Sequence, residues 1–172
     1  MLNDDAFIAA AVVRDAMANI FEFAAESAVR VLGANTEKLR AELHETVFAL
    51  MAHLITVDGQ FDPRERAFLR QLLDFGQEPN AELNFLRNYT ERWRVMEKNV
   101  PEFFRIAVDY DVKYKTETAR GIMREIQIVA NNCSVTDKHF AASEAEVIRR
   151  YLRLLDNYLE GRTGSTAAWL EP

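Results

Sequence analysis

Apolar residues recur at helical spacing through most of the chain, and short stretches with glycine, proline or capping residues separate the periodic segments. In the first segment Val12, Ala16 and Ile20 share one face, while acidic residues occupy the other. Gly33 then has the place of a helix C-terminal glycine, and Thr36 begins the next periodic segment. The same pattern, continued to the end of the chain, predicts seven helices.

The predicted boundaries follow the capping and breaking residues. Helix 1 ends at Leu32, helix 2 runs from Thr36 to Val57, and helix 3 stops at Gly76. Helix 4 follows an Asn80 cap, and helix 5 follows Asn99 to Pro101 and frays at 109–111. Helix 6 runs from Thr116 to Asn132, and helix 7 extends to Leu159.

Two segments depart from simple helix packing, and they align without a gap at an offset of 79 residues. The shared frame is D-x-x-F-x-x-x-E. It contains Asp58, Phe61 and Glu65 in the first copy, and Asp137, Phe140 and Glu144 in the second. A helix is predicted directly after each copy, so the chain carries a degenerate internal repeat.

The first copy has a complete local interpretation. Asp58 and Gly59 form a turn signal, because glycine adopts positive φ readily and aspartate bonds to nearby backbone. Asp62 is the predicted N-cap, Pro63 the first helical residue, and Glu65 the third residue of a capping box. On this interpretation the acidic residues only start a helix.

The second copy does not fit capping as well, because Ala141 occupies the position of the N-cap and has no side-chain acceptor. Capping alone therefore does not explain Glu144. One structural alternative is a helix that begins one or two residues later, with Ser143 as its cap and Glu146 closing the box.

An apolar helix followed by DG-x-F-x-x-x-E at 58–65, with a weaker second copy at 137–144, resembles the TerB family of tellurite-resistance proteins and its TerB-like relatives. In the second copy Lys138 replaces the glycine of the first. The resemblance implies an all-α domain of about seven helices in two similar halves, spanning 1–172 with a tail at 161–172. It also implies a bacterial, cytoplasmic stress-response module with protein partners near the membrane.

The resemblance further implies a cation site, with Asp58 and Glu65 from one half and Asp137 and Glu144 from the other. Four carboxylates favour calcium or magnesium. His139 lies two residues beyond Asp137, so zinc is a less favoured alternative ion.

An EF-hand is a competing interpretation of the first copy. Asp58, Gly59 and Glu65 fit the second half of that calcium loop, but Leu54 and Thr56 stand where its first oxygen ligands belong. One half-loop cannot enclose calcium, whereas two facing half-loops could.

Composition excludes several classes of function. The 172 residues carry a net charge of −6 with dispersed basic residues, so duplex nucleic acid is not expected as a partner. The single cysteine, Cys133, excludes an internal disulfide and has the position of a small core residue. The apolar run at 6–13 is too short to span a bilayer, so direct membrane insertion is not expected.

The chain offers little sign of catalysis. Neither His44 nor His53 follows a glutamate by three residues, so a di-iron bundle site is not expected, and no phosphate loop or nucleophile elbow occurs. The sequence favours a non-enzymatic module that binds a divalent cation and protein partners. The alternatives are a metal-dependent hydrolase and a helical interaction domain without metal, which could form a homodimer.

Overall fold

A computed structural model describes residues 2–32, 36–135 and 142–164. These residues form seven α-helices and contain no β-strand, which confirms the predicted all-α class. The helices are α1 (Leu2–Leu32), α2 (Thr36–Thr56), α3 (Pro63–Leu72), α4 (Ala81–Met96), α5 (Glu102–Tyr114), α6 (Thr118–Val135) and α7 (Ala142–Thr163).

Helix α1 is the centre of the fold, because it packs against α2, α3, α5 and α6. Small residues make this possible. Six alanines of α1 are buried, and they let neighbouring backbones approach closely. They are Ala6, Ala9, Ala10, Ala16, Ala24 and Ala28.

Helix α2 forms the second layer and contacts α1, α4, α5 and α6. It is buried over much of its surface, from Leu39 near its start to Ile55 near its end. Large aromatic side chains complete the same core from α3, α4 and α5. The fully buried ones are Phe68, Trp93, Phe103 and Phe104.

The internal repeat is visible in the helix boundaries. Helix α2 ends at Thr56 and α6 at Val135, while α3 begins at Pro63 and α7 at Ala142. Both pairs keep the 79-residue offset of the sequence motif. Within the described residues, each copy of the repeat therefore has the end of one helix and the start of a second helix six residues further on, as the motif predicts.

Five predicted boundaries were wrong by two residues or more. Helix α3 ends at Leu72 instead of Gly76, α6 ends at Val135 instead of Asn132, and α7 continues to Thr163 instead of ending at Leu159. Helix α5 continues to Tyr114 instead of fraying at 109–111, and α6 starts at Thr118 instead of Thr116. In the last two cases the reason is Asp111, which is buried inside α5 and fixes the start of α6.

Candidate site at the two acidic turns

The first acidic turn has the predicted local geometry. Gly59 adopts a φ of 78°, and its N–H donates to the Thr56 carbonyl oxygen at 3.0 Å. Asp58 is exposed, and its Oδ1 accepts a hydrogen bond from the Gln60 backbone N–H at 2.9 Å. Asp58 therefore shapes the turn from the solvent side.

The capping box at the start of α3 is complete. The Asp62 carboxylate accepts from the backbone N–H groups of Arg64 and Glu65 at 2.7 and 3.0 Å. In return, Glu65 Oε2 accepts from the Asp62 N–H at 2.9 Å. Phe61 packs on the core just before the cap, with the Arg66 guanidinium 5.3 Å from its ring centroid. The local interpretation of the first motif is thus confirmed.

Burial sets Glu65 apart from an ordinary capping glutamate. Its side chain belongs to the interior, with an exposed fraction of only 3%. Glu144 occupies the matching third position of α7 and is 2% exposed. Because α7 begins at Ala142, Ser143 lies within the first helical turn, and the alternative in which Ser143 caps a later helix is wrong.

The charges of both buried glutamates act on the thiol of Cys133. Burial raises the pKa of its thiol, and the charges of Glu144 and Glu65 raise it further. A charge effect of this kind weakens with distance, so both carboxylates lie near the same thiol. The tertiary structure therefore places the glutamates of both motif copies within electrostatic range of one thiol of α6. The predicted role of Cys133 as a buried core residue is confirmed.

The four residues predicted as cation ligands differ in position. Glu65 and Glu144 both raise the pKa of the Cys133 thiol, whereas Asp58 is exposed and is not among the groups that shift this pKa. Asp137 and His139 lie outside the described residues. Within the described part of the chain, no three His, Cys, Asp or Glu side chains form a group that could hold a metal ion. The four-carboxylate site therefore stays a prediction.

Two further carboxylates act as helix caps from a distance. Glu42 of α2 accepts from the backbone N–H groups of Glu102 and Phe103 at 2.7 and 3.1 Å, at the start of α5. Burial raises the pKa of Glu42, and these two hydrogen bonds act in the opposite direction. The sequence showed only Asn99 and Pro101 near this helix start, so the true cap was missed.

Asp111 is the second distant cap, and it corrects the expectation of a frayed end at 109–111. Its Oδ1 accepts from the Thr116 hydroxyl and the Thr118 N–H at 2.6 and 2.8 Å, and its Oδ2 accepts from the Ala119 N–H at 2.8 Å. The carboxylate is buried at the junction of α5 and α6. In the sequence, the position of Asp111 shortly before the Thr116-Glu117-Thr118 segment could have indicated this cap.

Helix α4 begins without a side-chain cap. Asn80 precedes it as predicted, but Asn80 has a φ of 59° and its side chain makes no capping hydrogen bond. Instead, buried Glu82 in the first turn binds the Arg70 guanidinium of α3. That hydrogen bond is the main reason why the pKa of Glu82 is lowered.

The two described histidines stack on aromatic rings. His44 lies 5.6 Å from the Phe48 ring centroid, and His53 lies 5.7 Å from that of Trp93. Burial lowers the pKa of both histidines; Arg40 lowers that of His44 further, while Glu97 partly offsets the effect at His53. Both histidines therefore pack against aromatic rings in this fold.

Among the described helices, none is long and apolar enough to cross a membrane.

One comparison with known proteins identifies a family for this chain. The family model described as tellurite resistance protein TerB matches residues 44–158, about two thirds of the chain. This range includes both acidic motifs and most of α2 through α7. No curated protein and no solved structure matches the chain significantly. The chain belongs to the TerB family of tellurite resistance proteins.

Proposed function

We propose that the protein is a non-enzymatic, cytoplasmic stress-response module in which a divalent cation joins the two halves of the repeat. The observation that carries this proposal is the pair Glu65 and Glu144. Both are buried at the third position of matching helices, and both act on the Cys133 thiol. A hard cation would bind such carboxylates as oxygen ligands, and Asp58 and Asp137 of the adjoining turns are the further donors.

The chemistry of this site favours calcium or magnesium over zinc. Zinc binds cysteine as the thiolate, and the raised pKa of Cys133 opposes loss of its proton. Carboxylate oxygens are the preferred ligands of calcium and magnesium. A bound cation would reduce the repulsion between two buried like charges, and it would hold α3 and α7 in a defined relation.

Calorimetric titration of calcium, magnesium and zinc into chelator-treated protein tests the proposal. The decisive variant is Glu65→Gln/Glu144→Gln, because glutamine can still close a capping box while it removes the charge. A second variant, Asp58→Asn/Asp137→Asn, tests the turn residues, and exposed Glu91→Gln is the control. Saturable calcium or magnesium binding that is lost only in the site variants supports the proposal. No binding to the wild-type protein overturns it.

A groove between α6 and α7 supports a binding surface for a protein partner. Its floor is apolar, and three arginines and one glutamate line it. The floor residues are Met123, Ile148 and Leu152, and the charged residues are Arg120, Arg124, Arg149 and Glu117. Methionine adapts well to partner surfaces. Arg120 pairs with Glu117 and Arg149 with Glu146, and Arg124 forms no ion pair within the described residues, so its charge complements an acidic partner. We infer that the groove takes an acidic amphipathic helix of a protein partner.

A model peptide can test this groove. We expect a designed acidic amphipathic helix to shift the Met123 methyl resonance in a saturable way, and Arg124→Glu/Arg149→Glu to abolish the effect. A lysine-rich peptide of the same apolar pattern is the matched control. Equal binding of both peptides would contradict the proposed charge recognition. Dimerisation in a sedimentation concentration series that competes with the acidic peptide would instead identify a second copy of the chain as the occupant.

A further inference from the structure

A separate cavity of about 400 Å³ lies where α1, α2 and α3 meet, on residues that neither acidic turn uses. Its wall is mainly apolar and includes Met17, Phe21, Phe48 and Leu72. Phe21 and Phe48 are half-buried. The volume falls at the lower end of the range for small-molecule sites, which are typically apolar with a few directed polar groups.

Cationic side chains line the same cavity. They are Arg14 of α1 and Arg40 of α2. The Arg14 Nη1 donates to the Gln71 carbonyl oxygen at 2.5 Å, and the Arg40 guanidinium carbon lies 4.1 Å from the Phe21 ring centroid. Each arginine is therefore held in place by a neutral group.

Three arginines that bridge helices elsewhere pair with carboxylates instead of neutral groups. Arg70, Arg92 and Arg162 each bind a carboxylate of another helix. Within the described residues, no ion pair joins Arg14 or Arg40 to a carboxylate. Two oriented guanidinium groups beside an apolar cavity thus remain available to an anion, in a protein whose net charge is −6.

We propose that this cavity binds an anionic amphiphile, with its phosphate or carboxylate group at Arg14 and Arg40 and its hydrocarbon body against Met17, Phe21 and Leu72. Guanidinium groups match both kinds of anion through paired hydrogen bonds. The apolar wall gives the hydrocarbon part a place out of water. Such a site is independent of the proposed cation site, because it shares no residue with the acidic turns.

The shared chemistry could come from a free metabolite or from a lipid head group with its chain, and the probes separate these sources. Octyl phosphate, below its micellar concentration, represents the free amphiphile. Inorganic phosphate tests the anion alone, octyl glucoside tests the apolar body alone, and phosphatidylglycerol vesicles test a membrane surface. Binding to full-length protein is followed by calorimetry and by the Met17 methyl resonance.

The variants are chosen to remove charge or space. Arg14→Gln/Arg40→Gln removes both cations, and Ala18→Trp fills the cavity from an exposed position on its edge. The matched control is Arg87→Gln/Arg94→Gln, which removes the same charge from exposed positions on α4. Thermal melts establish that each variant is folded.

We expect saturable octyl phosphate binding that weakens at least about tenfold in Arg14→Gln/Arg40→Gln and in Ala18→Trp, with the control unchanged. Inorganic phosphate and octyl glucoside should each bind at least about tenfold more weakly than octyl phosphate. The proposal fails if octyl phosphate does not bind, if the control loses as much affinity, or if inorganic phosphate binds equally well. It also fails if only the vesicles bind, since this would indicate general surface attraction.

Discussion

At the scale of single residues, buried carboxylates organise the polar interior of this protein. Asp111 and Glu82 are almost fully buried, yet each has a defined partner: the N-terminus of α6 for Asp111 and the Arg70 guanidinium for Glu82. A buried carboxylate is stable only when hydrogen bonds or opposite charges replace its hydration. These residues should therefore respond to mutation more strongly than exposed acidic residues.

Asp111→Ala tests the cap of α6. The change removes three hydrogen bonds and leaves backbone N–H groups without their acceptor, so we expect a loss of about 2 kcal/mol in the free energy of unfolding. Asp109→Ala, two residues away, removes only a partly exposed ion pair with Arg162 and should cost less than about 1 kcal/mol. Urea denaturation measures both values, and equal losses would contradict the capping role.

Acid should weaken the Glu82 interaction. Its pKa is lower in the folded protein than in the unfolded chain, so its stabilising contribution is complete above the unfolded value of about 4.3 and is lost as pH falls through the folded value. We expect Arg70→Met to lower stability by about 1 to 3 kcal/mol at pH 7, and the difference from wild type to shrink below pH 4. Denaturation curves at several pH values test this, with Arg87→Met as the exposed control. A difference that does not depend on pH would contradict it.

At the scale of elements, the residues that cap the helix starts come from different distances along the sequence. Helix α3 starts at its own capping box, whereas α5 starts where Glu42 of α2 meets its first N–H groups. The start of α3 was predicted from adjacent residues because both partners lie within three positions. Asn80 and Asn99 were misleading, because a capping residue type near a helix start does not decide which acceptor reaches the N–H groups.

The small residues of α1 define how closely its neighbours pack. Ala10 is fully buried, so Ala10→Leu would force extra volume between helices and should cost about 1 to 3 kcal/mol. Ala18→Leu on the exposed side of α1 should change stability by no more than about 0.5 kcal/mol. Thermal unfolding of the two variants makes the comparison. An equal effect at both sites would show that helix propensity, and not close packing, sets the cost.

At the scale of the whole molecule, α1 and the TerB-matched region form one core. The family match begins at residue 44, yet α1 (Leu2–Leu32) packs against four of the helices. Its buried positions belong to the same cluster as Leu50, Phe68 and Phe104. The region matched by the family model therefore depends on a preceding helix for its hydrophobic core.

Removal of residues 1–32 should accordingly abolish cooperative unfolding, because the faces of α3, α5 and α6 that meet α1 would be exposed to water. Near-UV circular dichroism and a thermal melt measure the loss of fixed packing. A chain that lacks only residues 1–5 is the control, since the side chains of Asp4 and Asp5 are exposed. A cooperative melt of the shorter chain would contradict a shared core.

The sequence by itself determined the all-α class, the repeat and the local chemistry of the first turn. Gly59, Asp62 and Glu65 could be assigned because their hydrogen bonds join residues within three positions of one another. Only the tertiary structure decided which distant groups interact: Glu42 with the start of α5, and both Glu65 and Glu144 with the Cys133 thiol. The physical reason is range, since capping and turn preferences are local, whereas charge contacts across the core depend on how the helices pack.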